Sequence, residues 1–151
     1  MKLTIKLAVV ILCCAWSISA QTTTNSTNAS NERRVALSEA AIANDASGAS
    51  ALEGTLRTTP LNGSADSPVT NVRLVIKNTS GISYAFVSGV ATFYDSAGVR
   101  CGEGLFKAEA LASDESFEAD MPGVRIRCQV ATWRIVATNL LPRMPPDPPR
   151  P

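Results

Sequence analysis

The sequence contains no histidine. The side chain that most often moves protons near neutral pH is therefore missing, and Ser-His-Asp and Cys-His nucleophilic arrangements cannot be assembled. A Cys/His zinc site is excluded for the same reason, and neither Cys101 nor Cys128 belongs to a C-x-x-C pair. No metal and no cofactor is expected. Charged residues make up only 18% of the chain and nearly balance, whereas a nucleic-acid-binding domain is strongly basic. Aromatic residues are scarce at 5%, leaving Tyr94 and Trp133 as candidates for a sugar-stacking platform. A lone Trp in an apolar strand is more often core.

Long apolar runs are lacking too, with one exception at the start. Lys2 and Lys6 precede an apolar stretch from Leu7 to Trp16, followed by Ser17-Ile18-Ser19-Ala20. This is the three-part layout of a secretory signal peptide over residues 1–20, too short to span a bilayer, with cleavage expected after Ala20. Leu12 before Cys13 is not the small residue that lipoprotein processing requires. Without residues 1–20, twelve basic and thirteen acidic residues remain, a formal charge of −1 that selects no partner. The expected location is secreted or periplasmic, with no membrane span once the signal is removed.

What remains fits one domain. Residues 21–31, QTTTNSTNASN, carry too little apolar surface to offset the entropy of ordering, so residues 21–50 read as a flexible leader. Within it, Glu32 to Ala46 fits an apolar helical stripe loosely and is read as a short helix capped by Asn31 or Ser38. From Ala51 the period becomes two. Leu52, Gly54 and Leu56 alternate with Glu53, Thr55 and Arg57, then Val72, Leu74 and Ile76 alternate with Arg73, Val75 and Lys77. The central strand places Val87, Gly89, Ala91 and Phe93 on one face and breaks at Asp95-Ser96-Ala97-Gly98. A partner strand follows from Val99 to Ala112, then a short strand from Ser116 to Asp120 and a turn at Met121-Pro122-Gly123. In the last run, Ile126, Cys128 and Val130 are one residue out of phase with Trp133, Ile135 and Ala137. That shift calls for a bulge near Ala131-Thr132 or for two strands with a bend. The tail, residues 142–151, is too rich in proline for sheet or helix and should be extended and disordered. About seven short strands over residues 51–141 with regular turn signals predict an all-β antiparallel sandwich.

Two cysteines in an exported chain are expected to pair, so Cys101 and Cys128, 27 positions apart, are read as a disulfide. The order of Asn78 after a strand, Val90 to Asp95 as VATFYD, Gly98 in the turn, and Leu111 to Phe117 as LASDESF resembles the FxLYD-type domains of secreted bacterial proteins. Ala91, Phe93 and Ser113-Asp114 depart from that pattern. The resemblance implies an immunoglobulin-like accessory or interaction module with no catalytic residues to carry over.

The expected function is a non-catalytic binding or structural module whose partner is a protein or a cell-envelope component. Arg73, Lys77, Arg125 and Arg127 are its candidate contacts, a basic stripe if their strands are neighbours. The alternative is a small extracellular enzyme or enzyme inhibitor using carboxylates, either Glu103 with Glu109 or the group Asp114, Glu115, Glu118 and Asp120. Two carboxyl groups converging in a cleft would favour the enzyme. A flat strand edge or an apolar patch would favour partner binding. Asn25, Asn28, Asn62 and Asn78 each begin an N-x-S/T triplet, the acceptor signal for N-glycosylation.

Overall fold

The computed structural model describes residues 33–144, and the expected signal peptide, residues 21–32 of the leader and residues 145–151 of the tail lie outside them. Eight strands and no helix make up the described chain: β1 (Val35–Ala36), β2 (Ala41–Asn44), β3 (Ser50–Leu56), β4 (Val69–Asn78), β5 (Tyr84–Tyr94), β6 (Arg100–Leu111), β7 (Ser116–Ile126) and β8 (Thr132–Pro142). They form two antiparallel sheets with strand orders β1-β8-β5-β6 and β2-β3-β4-β7, stacked as a sandwich. β4 lies between β3 and β7 while β5 lies between β6 and β8. This is the immunoglobulin order, with β1 beside β8 where the last strand of that fold would run.

Period-two patterning sets the two inner faces. Val72, Leu74 and Ile76 from one sheet, and Val87, Ala91, Phe93, Trp133 and Ile135 from the other, have no exposed surface. Phe93 and Trp133 stack with ring centroids 6.5 Å apart. The glycines at inward positions are spaces for large neighbours. A Cβ on Gly102 would lie 2.6 Å from Ile126 Cγ1, and one on Gly104 would lie 2.7 Å from Met121 Sδ. β6 can therefore press against β7 and close that flank of the core. The Cys101–Cys128 disulfide joins the same two edges, with its Cα atoms 5.9 Å apart, as expected from the cysteine count. A closed loop of this length contributes on the order of 3.5 kcal/mol by the chain-entropy estimate.

Three expectations are corrected. The helix expected over Glu32 to Ala46 is not found in its described part: residues 33–46 hold β1 and β2 instead. Trp133 Nε1 donates to Ala36 O at 3.2 Å, and Glu39 Oε2 accepts from Ala36 N at 3.1 Å to fix the turn between the strands. Ala41 and Ala43 are completely buried at period two, so the alanines serve close packing over the core rather than helix propensity. Second, Met121-Pro122-Gly123 is not a turn. β7 runs on through it, and two steps of β4 from Asn71 to Val69 face four of β7 from Pro122 to Ile126, with Gly123 at φ +84°. β7 is the outermost strand of its sheet, where a residue without an N–H is tolerated. Third, residues 51–142 hold six strands, because the two short strands expected on either side of that triplet are one. The phase shift after Val130 is a bend between β7 and β8.

Candidate functional site

The outward face of the β1-β8-β5-β6 sheet is built from the alternate positions of β6, β5 and β8. The register sets Glu103 beside Thr92 and Arg134, Leu105 beside Val90 and Val136, Lys107 beside Ser88 and Asn139, and Glu109 beside Phe86 and Leu141. One apolar row, Leu105–Val90–Val136, thus crosses three strands on a face turned to solvent, and a second, Phe86–Leu141, crosses two beside Glu109, with one polar row between them. Leu105 is 75% exposed and Leu141 is 53% exposed, while Val90, Val136 and Phe86 are partly covered. Four residues along a strand separate the rows, roughly 13 Å at the usual rise. Ser88 and Thr138 share a hydrogen bond of 3.0 Å within the polar row. At the opposite end of the face, Tyr94 is closed over by Arg34, whose guanidinium carbon sits 3.8 Å from the ring centroid and whose Nη1 donates to Gly98 O. Tyr94 and Trp133 are both buried. Neither is placed as an exposed platform for a sugar.

β8 has an open outer edge for most of its length. β1 pairs only with Thr132 and Trp133, leaving Ile135 to Pro142 without a neighbouring strand on that side among the described residues. The other outermost strands carry features that discourage further pairing. β6 alternates Glu103, Lys107 and Glu109, β7 holds Pro122 and its bulge, and β2 is only four residues long. From Ile135 to Leu141, β8 carries no charge, and its local irregularity is a bulge at Thr138 opposite Ser88 and Gly89.

The four candidate basic residues lie on the other sheet. β4 and β7 are neighbours, so the strands bearing them do adjoin. Arg73 donates to Glu118 at 3.2 Å, and Lys77 lies 3.6 Å from Asp114, so this half is a mixed-charge surface. Arg125 and Arg127 lie at the far end of β7, beyond the bulge, exposed and in no ion pair among the described residues. The sequence joined four cations into one stripe; the structure divides them into a neutralised pair and an open pair.

A groove of about 890 Å³ follows the seam between β6 and β7, with Glu103, Leu105, Lys107, Glu118, Asp120 and Pro122 in its walls. Its carboxylates are largely committed. Glu103 is bound to Arg100 at 3.0 Å and Glu118 to Arg73. Of the two flanking acids, Glu115 accepts from Ala112 N at 2.6 Å and Asp114 pairs with Lys77. No group of three or more metal-ligating side chains occurs among the described residues.

Asn78, which the sequence marks as the residue after a strand and the start of an N-x-S/T triplet, is the most fully bonded buried polar side chain among the described residues. It has no exposed surface. Its Nδ2 donates to Ile82 O and to Ala112 O, each at 2.9 Å, and its Oδ1 accepts from Ser80 N at 3.0 Å and Ser80 Oγ at 2.7 Å. Its backbone N donates to Glu115 O and its backbone O accepts from Asp114 N. One side chain thus locks the connection between β4 and β5 to the turn between β6 and β7.

The apolar rows were not identified as a site from sequence, although a signal was present. Leu105 and Phe106 are consecutive in a period-two strand, so one of them has to face water. Comparison with protein families, curated proteins and solved structures gives no match to this chain.

Proposed function

We propose that this protein is a non-catalytic binding module that works outside the cytosol and engages a protein or cell-envelope partner through the outer face of the β1-β8-β5-β6 sheet. The observation that carries this reading is the pair of apolar rows, Leu105–Val90–Val136 and Phe86–Leu141, on a solvent-facing surface. Apolar side chains gathered on one solvent-facing sheet face are a common mark of a contact surface. The Cys101–Cys128 bond supports an oxidising compartment, and no helix among the described residues is long and apolar enough to cross a membrane. The resemblance to FxLYD-type domains supports the same class of module, and Arg125 with Arg127 offers a second, cationic contact for an anionic group at the end of β7.

The test is crosslinking capture from the native exported fraction, comparing wild type with the double variant Leu105→Asp/Leu141→Asp and with Arg125→Glu/Arg127→Glu. Loss of a specific partner in the first variant, with unchanged circular dichroism, is the expected result. Capture of the same partner by both variants at wild-type yield would remove the sheet face and the basic pair from consideration.

A further inference from the structure

Two N-x-S/T triplets lie among the described residues, Asn62-Gly63-Ser64 and Asn78-Thr79-Ser80, and their side chains are in opposite situations. Asn62 is exposed, in the connection between β3 and β4, and its backbone bridges to Gln129. Nothing among the described residues bonds its side chain. Asn78 is sealed and uses both hydrogens of Nδ2.

We infer that Asn62 is the N-glycan acceptor of the folded domain, and that a glycan on Asn78 and the native fold exclude one another. In N-glycosylation, the amide nitrogen Nδ2 loses one proton and gains a bond to the anomeric carbon of an oligosaccharide carried on a lipid diphosphate. The lipid diphosphate leaves and takes up the proton. At Asn62 the new group projects into solvent and disturbs no bond of the fold. At Asn78 it removes one of the two donors, so either Ile82 O or Ala112 O loses its 2.9 Å bond to Nδ2 and keeps only the longer one from Ser80 Oγ or Glu115 N. It also forces a sugar ring into a position with no free surface, between two chain segments also tied together by Ser113 Oγ donating to Ser80 O at 2.7 Å. Those segments must separate to admit it. Ser80 Oγ, the hydroxyl that completes the triplet, is itself held against Asn78 Oδ1 at 2.7 Å in the folded chain. The second triplet is therefore an internal fastening whose residues happen to spell an acceptor signal.

The full chain is expressed in a eukaryotic secretory host, and secreted soluble protein is mapped by site-specific glycopeptide mass spectrometry. Asn25 and Asn28, outside the described residues, are read on separate peptides. The expected result is glycan at Asn62 and an unmodified Asn78 peptide in soluble protein that carries the Cys101–Cys128 bond. Any Asn78 glycoform should be confined to retained, unfolded material. Because Ser is a weaker acceptor hydroxyl than Thr, Ser64→Thr is run alongside; an Asn62 still vacant in that variant overturns the first half. A soluble, disulfide-bonded species glycosylated at Asn78 overturns the second. Ser80→Ala abolishes the triplet but keeps the Asn78 amide donors, whereas Asn78→Ala removes both. Secretion that survives the first and collapses in the second supports a structural Asn78, and equal loss in both argues against it.

Discussion

Replacing Asn78 tests the reading of the loop-locking network most directly. Asn78→Ala deletes two donated and two accepted hydrogen bonds at a position with no exposed surface. At a net value near 1 kcal/mol each, the loss is about 3 to 4 kcal/mol, with Ile82 O and Ala112 O each keeping one longer bond, from Ser80 Oγ and Glu115 N. A small domain has only about 5 to 15 kcal/mol in all, and the same loss lowers Tm by roughly 12 °C or more in a chain of this size. Asn78→Asp separates the donors from the acceptors, since it keeps an oxygen for Ser80 but turns a second oxygen toward the carbonyls of Ile82 and Ala112. Burial and those carbonyls raise the folded-state pKa of the introduced acid. Stability that needs the protonated form is then fully present below the ordinary Asp value of about 3.9 and is lost as pH rises through the raised folded value. The gap between this variant and wild type should widen from pH 4 to pH 7. Urea unfolding followed by fluorescence of the buried Trp133 measures both effects. An Asn78→Ala variant within about 1 kcal/mol of wild type, or an Asn78→Asp gap that ignores pH, would refute the network as a stabilising lock.

Three further outcomes follow from the same coordinates. Cys101→Ser/Cys128→Ser should cost about 3.5 kcal/mol in denaturant titration, close to the loss on reducing the wild type, because loop closure is the only term both remove. Gly104→Val should destabilise by about 1 to 3 kcal/mol through overpacking against Met121, and Met121→Ala in the same chain should recover part of it; an additive double variant would place the clash elsewhere. Asp45 has its carboxyl held below the ordinary value by the Ser47 side chain, 2.6 Å away, and by the amides of Ala49 and Ser47. A depressed folded-state pKa gives stability that is present above the unfolded value and lost as pH falls through the folded one, so Asp45→Asn should flatten that acid limb of the Tm against pH curve.

The core was legible because burial and strand period coincide. Val72, Leu74, Ile76, Val87, Ala91 and Phe93 were assigned inward from alternation and all are fully buried. Sequence reading failed where a residue type has two uses. The apolar positions between Val35 and Ile42 suggested a helical stripe, yet Ala41 and Ala43 are small, buried strand residues at period two because β2 lies close against the core. Pro-Gly at 122–123 suggested a reversal, yet at an outermost strand the same dipeptide makes a bulge without ending the strand. Basic residues were visible as letters, but their neutralisation by Glu118 and Asp114 depends on which strands adjoin, and that is set by the crossover from β6 to β7. Asn78 illustrates the limit most clearly. Local sequence marks the end of a strand and an N-x-S/T triplet, while two of its four side-chain bonds go to carbonyls at Ile82 and, 34 positions away, Ala112.

The apolar rows gain weight from their position beside the unpaired run of β8. Monomer stability does not account for Leu105, since a side chain left 75% exposed contributes little of the transfer energy that a buried leucine supplies. Solubility is not served either, because apolar surface beside an uncharged strand edge invites association. The protective features elsewhere, charges on β6, Pro122 on β7 and the shortness of β2, show that this fold accommodates such protection at three of its edges. An exposed apolar surface beside the edge that lacks charge is what a contact surface requires and what an isolated module would shed. If selection acted only on the monomer, polar replacements at Leu105 and Leu141 would be neutral or favourable for stability and solubility. Partner capture is the property those same replacements should remove.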